Sequence, residues 1–290
     1  MTALVTGADG FAGRWLCRHL LAHGTPVVGW VRRRPRQPIA GVRYRIQDIC
    51  DPTATAMAMK ADSPAQVFHL AAITHVARCE SDPEAAHATN VTGTVNVFGS
   101  MPSSARGVFA STCHVYGDPR QTPITEDHPL GGQGIYSQTK IAAEDAIRNL
   151  GKDVVIARAF HHTGPGQSTD YVLADWASQV RHGADQIRVG DINVERDFSD
   201  VRDVVAGYEV LARRGDALAS YNLCSGVARP LAYFLECMTT GRNVTVDVES
   251  GRLRATDVHR FCGDPGRAVA LGWRPLRSIE ETLAELAQAG

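Results

Sequence analysis

The stretch Leu4-Val5-Thr6-Gly7-Ala8-Asp9-Gly10-Phe11-Ala12-Gly13 decides the fold of this chain. The short apolar run Ala3–Thr6 predicts a first β-strand, and three glycines follow it at the spacing G-x-x-G-x-x-G. Beyond them, large apolar residues recur at helical spacing: Trp15, Leu16, Leu20 and Leu21. A strand, a glycine turn and a helix in this order are typical of a dinucleotide site, whose pyrophosphate lies at the N-terminus of the helix.

Each of the three glycines has a different predicted structural role. Gly7 permits a tight turn, Gly10 lets the backbone approach a pyrophosphate, and Gly13 lets the helix lie close to the strand. The alternative is a glycine-rich turn that binds nothing. The strand directly before the motif favours the dinucleotide site.

The composition excludes several classes of protein. The 290 residues carry a formal net charge of −1, which argues against broad binding to nucleic acid or anionic membranes. No apolar run approaches the length that spans a bilayer, and the chain enters a strand at once instead of starting with a signal peptide. The 7 cysteines are odd in number and lack C-x-x-C spacing, so we expect reduced thiols in a cytoplasmic protein.

The residues after the second predicted strand, 26–31, indicate which dinucleotide is bound. A site that prefers NAD usually has an acidic residue here, which holds the ribose 2′-OH. This chain has Arg32-Arg33-Arg34 instead, and a guanidinium can pair with a 2′-phosphate. NADP is therefore the predicted cofactor, and a solvated basic loop is the alternative.

Two further strand ends are candidate cofactor contacts. Asp48 follows the third predicted strand, 42–46, and can accept a hydrogen bond from an adenine amino group. The fourth predicted strand, 66–72, ends in Leu70-Ala71-Ala72, whose small residues let a nicotinamide ribose lie against the sheet. In the helix predicted over 83–101, Asn90 is a polar residue that we expect to be exposed.

A tyrosine and a lysine four residues apart are the candidates for catalysis. Tyr136 and Lys140 project from one face of a helix predicted over 134–150. A lysine beside a phenol lowers the pKa of the phenol, which can then exchange a proton with a substrate oxygen near neutral pH. Thr112, at the end of the strand predicted over 108–112, can hydrogen-bond to the same oxygen. This spacing is common by chance, so the interpretation depends on the glycine motif and Thr112 as well.

The adjacent pair His161-His162 suggests a metal site at first. Adjacent side chains point in different directions, however, and the sequence places no third ligand nearby. We therefore predict no metal.

The regular alternation of strands and helices weakens after about residue 165. We expect residues 1–164 to form a dinucleotide-binding domain, which the chain rejoins over about residues 196–226. Residues 165–195 and 227–290 should form mainly a lobe for a second substrate. The predicted fold class is α/β, a Rossmann-type doubly wound parallel sheet with a smaller C-terminal substrate-binding lobe.

Motifs along nearly the whole chain resemble the extended short-chain dehydrogenase/reductase family. They are Thr6-Gly7-x-x-Gly10-Phe11-x-Gly13, His69-Leu70-Ala71-Ala72, Val115-Tyr116-Gly117 and Tyr136-x-x-x-Lys140. Later segments resemble the nucleotide-sugar branch of this family, and most nearly its GDP-4-keto-6-deoxymannose reductases and GDP-mannose 4,6-dehydratases. These segments are His162-Thr163-Gly164-Pro165-Gly166-Gln167, Val189-Gly190, Arg196 to Asp203, Tyr221 to Gly226 and Leu253-Arg254.

The resemblance implies a role for each matching residue. The catalytic residues would be Thr112, Tyr136 and Lys140. The dinucleotide would be bound by Tyr136 and Lys140 together with Gly7, Gly10, Phe11, Gly13, Arg32, Arg33, Asp48, Ile49, Leu70, Ala71 and Ala72. The sugar nucleotide would be bound by Thr112, His114, His161, Arg196 and Arg254. The two arginines of this set would pair with the diphosphate, and a surface ion pair is the alternative for either of them.

Three residues depart from the family pattern. Cys113 and His114 occupy the stretch in which sugar-nucleotide dehydratases need a carboxylic acid and a base, and His161 stands where the family usually has Asn.

The resemblance therefore implies an NADPH-dependent reductase of the ketone of a 4-keto-6-deoxy nucleotide-diphosphate sugar, with a GDP-sugar favoured. The alternatives are a nucleotide-sugar epimerase or 4,6-dehydratase, and a dinucleotide-sensing protein without turnover. The resemblance also implies a homodimer that pairs through the helices 83–101 and 134–150.

Overall fold

Strands and helices alternate along most of the chain. The computed structural model describes residues 1–249, 251 and 258–288. Its strands are β1 Ala3–Thr6, β2 Val27–Val31, β3 Val42–Ile46, β4 Gln66–His69, β5 Arg106–Thr112, β6 Val154–Ala159, β7 His161–Thr163, β8 Gln186–Val189, β9 Glu195–Asp200, β10 Ser220–Leu223, β11 Ala228–Pro230, β12 Thr245–Val248 and β13 Arg260–Phe261. Its helices are α1 Phe11–Ala22, α2 Pro52–Asp62, α3 Val76–Ser81, α4 Pro83–His87, α5 Gly93–Ser100, α6 Ile135–Leu150, α7 Val172–Arg181, α8 Val201–Arg214, α9 Leu231–Thr239, α10 Gly266–Ala270 and α11 Ile279–Gln288. A π-helical turn, Ala88–Thr92, joins α4 to α5, and a 3₁₀ turn, Cys113–Tyr116, follows β5.

Seven parallel strands form the central sheet in the order β10-β6-β5-β4-β1-β2-β3. Because β1 pairs with β2 on one side and with β4 on the other, the winding of the chain reverses at β1. In a doubly wound sheet, ligands bind at the carboxyl ends of the strands beside such a reversal. This sheet confirms the predicted α/β, Rossmann-type fold.

Apolar clusters cover both faces of the sheet. On one face, Leu16 and Leu20 of α1 pack with Val204 and Tyr208 of α8. On the other face, residues of α2, α5 and α6 form a second cluster. A third cluster joins α7, β8, α9 and α11, away from the central sheet, in the segments assigned above to the second-substrate lobe. Those domain boundaries stay a prediction. Among the described residues, no helix combines the length and apolar character needed to cross a membrane.

The fourth strand is shorter than predicted. It ends at His69, because the backbone N–H groups of Leu70 and Ala71 donate to Thr6 Oγ1 at 3.2 and 3.1 Å. These amides are therefore satisfied by a side chain and not by a neighbouring strand. The helix predicted over 83–101 is also different, since the π-helical turn divides it.

The glycine turn between β1 and α1 leaves no room for side chains at two of its positions. Gly7 has a φ of +67°, which favours glycine. A Cβ added at Gly13 would lie 2.1 Å from Gly7 O, so α1 packs directly on the backbone of the turn. Gly10 is the N-cap residue of α1, and its N–H donates to Gly7 O at 2.9 Å.

We expect Gly13→Ala to lower the free energy of unfolding by about 1–3 kcal/mol, because the turn must move to admit the methyl group. The matched control is Gly99→Ala in α5, where an added Cβ meets nothing within 4 Å. This control should be neutral or slightly stabilising, since Ala has the higher helix propensity. Urea unfolding of both variants measures the difference, and equal stability changes would contradict the steric explanation.

Candidate functional site

The structure brings the three predicted catalytic residues together at the carboxyl end of β5. Tyr136 and Lys140 lie one turn apart on the buried face of α6, and Thr112 ends β5. The Thr112 side chain lies close enough to Tyr136 to lower the pKa of its phenol. All three residues are more than nine-tenths buried. This arrangement excludes bulk water from the phenol that faces the strand end.

The direction of the Tyr136 pKa shift differs from the prediction. Burial raises the pKa of Tyr136, and the hydrogen bond from Thr112 lowers it by less. Lys140 is not directed at the phenol: its Nζ donates to Ala110 O at 2.7 Å and lies 4.5 Å from the centre of the Phe109 ring. Burial also lowers the pKa of Lys140 to about 8. Tyr136 is therefore a protonated phenol, a form that can donate a proton.

Asn90 is buried, and the expectation of an exposed residue is wrong. The π-helical turn packs it against the loop after β4, where Asn90 Oδ1 accepts from Ile73 N at 2.8 Å and Asn90 Nδ2 donates to Ile73 O at 3.0 Å. The same Nδ2 donates at 3.0 Å to Thr139 Oγ1, which in turn donates to Tyr136 O at 2.8 Å. Asn90 thus fixes the start of α6, which carries Tyr136. The spacing of Asn90 and Thr94, two polar residues one turn apart, is the signal in the sequence that points to a buried polar face.

His69 continues this buried network beneath the site. Thr6 Oγ1 already accepts two backbone amides, so its own proton goes to His69 Nδ1, 2.7 Å away. His69 Nε2 then donates to Thr94 Oγ1 at 3.0 Å, and Thr94 donates to Asn90 O at 2.6 Å. Burial lowers the pKa of His69 to about 3, so the imidazole is neutral. The motif residue His69 therefore ties β1 and β4 to the π-helical turn.

A buried ion pair holds the face of α6 that carries Tyr136 and Lys140. Glu144, one turn beyond Lys140, accepts from Arg158 Nε at 3.1 Å and from Arg158 Nη2 at 2.7 Å. Ser111 and Arg148 donate to the same carboxylate at 2.6 and 3.0 Å. Burial alone would raise the pKa of Glu144, but these donors hold it below its ordinary value. The sequence analysis did not identify this pair, which links α6 to β5 and β6.

The predicted cofactor residues lie at one edge of the central sheet. They follow four neighbouring strands, β4, β1, β2 and β3, at their carboxyl ends. Arg32, Arg33 and Asp48 are exposed, whereas Ile49 is buried. The remaining members of the set are Gly7, Gly10, Phe11, Gly13, Leu70, Ala71 and Ala72.

Two histidines and a cysteine lie beside Tyr136. The ligand atoms of Cys113, His114 and His161 are all within 4.8 Å of one another, and the His114 and Tyr136 ring centres are 5.9 Å apart. The expectation that no third ligand lies near His161 is therefore wrong, because β7 follows β6, which pairs with β5. His162 does point elsewhere, with its Nδ1 2.9 Å from Phe160 O. That this chain binds no metal here stays a prediction.

The predicted diphosphate ligands are only partly within the described structure. Arg196 is buried at the carboxylate-rich strand β9, where its Nη1 donates to Glu195 O at 2.8 Å. Its charge lowers the pKa of Cys113, but burial dominates and raises that pKa to about 12. Cys113 is therefore a protonated thiol. Arg254 lies outside the described residues.

Comparison with known proteins places the chain in a family. The model of the NAD dependent epimerase/dehydratase family matches residues 3–224. GDP-6-deoxy-D-mannose reductase from Pseudomonas aeruginosa is 32% identical over 96% of this chain and 93% of its own length. The structure of RMD from Pseudomonas aeruginosa complexed with NADPH has a TM-score of 0.87 and 28% identity, and the match covers 100% of this chain and 98% of that one. UDP-glucose 4-epimerase from Thermus thermophilus in complex with NAD has a TM-score of 0.88 and 25% identity, and the match covers 100% of both chains. The family resemblance of the motifs is thus confirmed, and the chain belongs to the NAD dependent epimerase/dehydratase family.

Proposed function

We propose that this chain is an NADP-dependent oxidoreductase that reduces the ketone of a 4-keto-6-deoxy nucleotide-diphosphate sugar, with a GDP-sugar as the favoured substrate. The observation that carries the proposal is the buried, protonated Tyr136 beside Thr112 and Lys140. The relative named GDP-6-deoxy-D-mannose reductase supports the choice of substrate, and the NADPH complex of RMD supports the choice of cofactor.

The glycine turn fits a dinucleotide. An added Cβ at Gly10 would meet only Gly7 O, at 3.1 Å, so the N-terminus of α1 is otherwise open to a pyrophosphate. Arg32 and Arg33, exposed after β2, would pair with the 2′-phosphate, and Asp48 would hold the adenine amino group. Bound NADPH supplies the hydride that reduces the ketone carbon.

The residues of this chain would supply orientation and one proton. Tyr136 would donate its phenolic proton to the ketone oxygen as that oxygen gains negative charge. The Thr112 hydroxyl would hydrogen-bond to the same oxygen, and Lys140 would hold the nicotinamide ribose. His114 and His161 would line the sugar, while Arg196 and Arg254 would bind its diphosphate.

The site favours a reductase over a dehydratase. A dehydratase also needs a base that removes the C5 proton and an acid that protonates the leaving C6 oxygen. Cys113 stands at one of these positions as a buried thiol with a pKa of about 12, so it is a poor base near neutral pH. The epimerase alternative keeps its cofactor bound, and net consumption of NADPH distinguishes it from a reductase.

We expect the double variant Arg32→Ala/Arg33→Ala to weaken NADPH binding by about 1.5–3 kcal/mol for each charge-assisted hydrogen bond that is removed, with little change for NADH. Arg188→Ala is the control, because its side chain is 64% exposed on β8 and pairs only loosely with Glu249, 3.6 Å away. Titration of each variant with both dinucleotides measures the effect. Equal losses for NADPH and NADH would show that the two arginines do not contact the 2′-phosphate.

We also propose that the chain forms a homodimer in the cytoplasm. The family resemblance supports pairing through the helical segments 83–101 and 134–150, and the seven free thiols suit a reducing compartment. Light scattering at micromolar concentration should give twice the mass of one chain. A mass of one chain would contradict the dimer.

A further inference from the structure

Two histidines at the end of α1 face a carboxylate of α8. His19 lies in the last turn of α1, and His23 directly follows the helix. His19 Nε2 is 2.6 Å from Glu209 Oε2, and His23 Nδ1 is 3.5 Å from the same oxygen. The three ligand atoms all lie within 4.8 Å of one another. This group is at the opposite end of α1 from the glycine turn.

We propose that His19, His23 and Glu209 form a zinc site that clamps α1 to α8. The site is separate from the proposed reductase chemistry, so either proposal can fail without the other.

The spacing and chemistry of the three side chains suit zinc. Residues four apart on a helical backbone face the same side, and His23 N still donates to His19 O at 3.1 Å, so the helical path reaches His23. Helical zinc sites use two histidines at this spacing. Zinc accepts imidazole nitrogens and carboxylate oxygens at about 2.0–2.2 Å, and sites with three protein ligands add a water.

The carboxylate is already oriented for a metal. Arg213 Nη2 holds Glu209 Oε1 at 2.5 Å, which leaves Oε2 directed at both imidazoles. Groups that hold a ligand in this way are a regular part of metal sites. The Glu209 side chain is 11% exposed and that of His23 is 52% exposed, so a metal can enter from solvent and find a fixed anionic ligand.

Binding requires only a small adjustment. His19 Nε2 now hydrogen-bonds to Glu209 Oε2, and zinc would replace the proton of that bond. Tetrahedral zinc–ligand bonds of about 2.0–2.1 Å set neighbouring ligand atoms roughly 3.3 Å apart. The His19–Glu209 pair would open from 2.6 Å towards this value, whereas the His23–Glu209 distance of 3.5 Å already matches it.

Bound zinc would increase the stability of the folded chain. The helices α1 and α8 pack together in the cluster that contains Leu16, Leu20, Val204 and Tyr208. A metal that binds both helices in the folded chain stabilises that state by mass action. When the free zinc concentration is about one hundred times the dissociation constant, we expect zinc to raise the Tm by about 3–8 °C.

The test uses the full chain without a polyhistidine tag, treated with a chelator and then titrated with zinc chloride. Calorimetry and thermal unfolding are compared for the wild type, His23→Gln and the control His182→Gln, whose imidazole is exposed at the end of α7. His23 is half exposed, so its variant should fold. We expect His23→Gln to lose one equivalent of zinc and the rise in Tm, and the control to keep both.

A Cys113→Ala variant separates this site from the cysteine and histidines near Tyr136. An unchanged zinc-dependent shift in Cys113→Ala supports the proposal. The proposal is overturned if the wild type shows no zinc-dependent shift, if His23→Gln keeps the full shift, or if Cys113→Ala abolishes it.

Discussion

Tyr136→Phe is expected to lower kcat for reduction of the keto-sugar by about 10²–10⁴-fold, the usual scale for loss of a general acid. The ring stays in place, so its packing against Ile73, Cys79 and Ala86 is preserved while the O–H is lost. In the wild type, burial raises the pKa of this phenol and keeps it protonated. The variant has no hydroxyl and therefore no proton to donate. The dissociation constant for NADPH should change little. Steady-state oxidation of NADPH and a direct cofactor titration measure the two quantities.

Tyr233→Phe is the matched control. Its hydroxyl donates to Glu280, far along the chain from the Thr112–Tyr136 pair, and its removal should leave kcat within about twofold of the wild type. The assignment of Tyr136 as proton donor fails if Tyr136→Phe retains wild-type kcat. A variant that loses only NADPH affinity would limit the role of Tyr136 to cofactor binding.

Arg158→Met is expected to cost about 3–5 kcal/mol of stability, because it leaves a buried carboxylate without its main partner. Glu144 has no exposed side-chain surface, and Arg158 is 3% exposed. The substitution also removes the hydrogen bond that Arg158 Nη1 donates to the Tyr116 hydroxyl at 3.1 Å, although that hydroxyl still donates to Asn222 Oδ1 at 2.7 Å. Urea unfolding measures the loss of stability.

Two further variants test whether the unpaired charge of Glu144 causes the loss of stability in Arg158→Met. The double variant Glu144→Gln/Arg158→Met removes both charges, and it should recover part of the lost stability. Arg188→Met removes an exposed arginine, and its effect should stay within about 0.5 kcal/mol. If Glu144→Gln/Arg158→Met is as unstable as the sum of its single variants, the uncompensated carboxylate is not the source of the loss.

Local patterns in the sequence are sufficient to predict the parallel central sheet and to choose the candidate catalytic residues. The glycine motif depends on contacts within a few residues, such as Gly13 against Gly7 O. Tyr136 and Lys140 follow from helical periodicity, and Thr112 follows from a strand end. Parallel strands place their carboxyl ends at one edge, so these residues meet once the sheet is known.

Interactions between distant parts of the chain account for what the sequence did not reveal. Asn90 is buried because it hydrogen-bonds to residues 17 and 49 positions away, and helical periodicity carries no information on such partners. The direction of the Tyr136 pKa shift was missed for a related reason. It depends on the burial of Tyr136 against Ile73, Cys79 and Ala86 and on the bond that Lys140 donates to β5, and α6 alone determines neither.

The central claim, net reduction at the sugar ketone, is tested most directly by following a label. The enzyme is given a GDP-4-keto-6-deoxyhexose and NADPH that carries deuterium at the transferable position of nicotinamide C4. We predict one NADPH oxidised for each product formed, with the deuterium at C4 of the sugar. Product formed without net oxidation of NADPH, or with no deuterium at C4, would contradict the reductase.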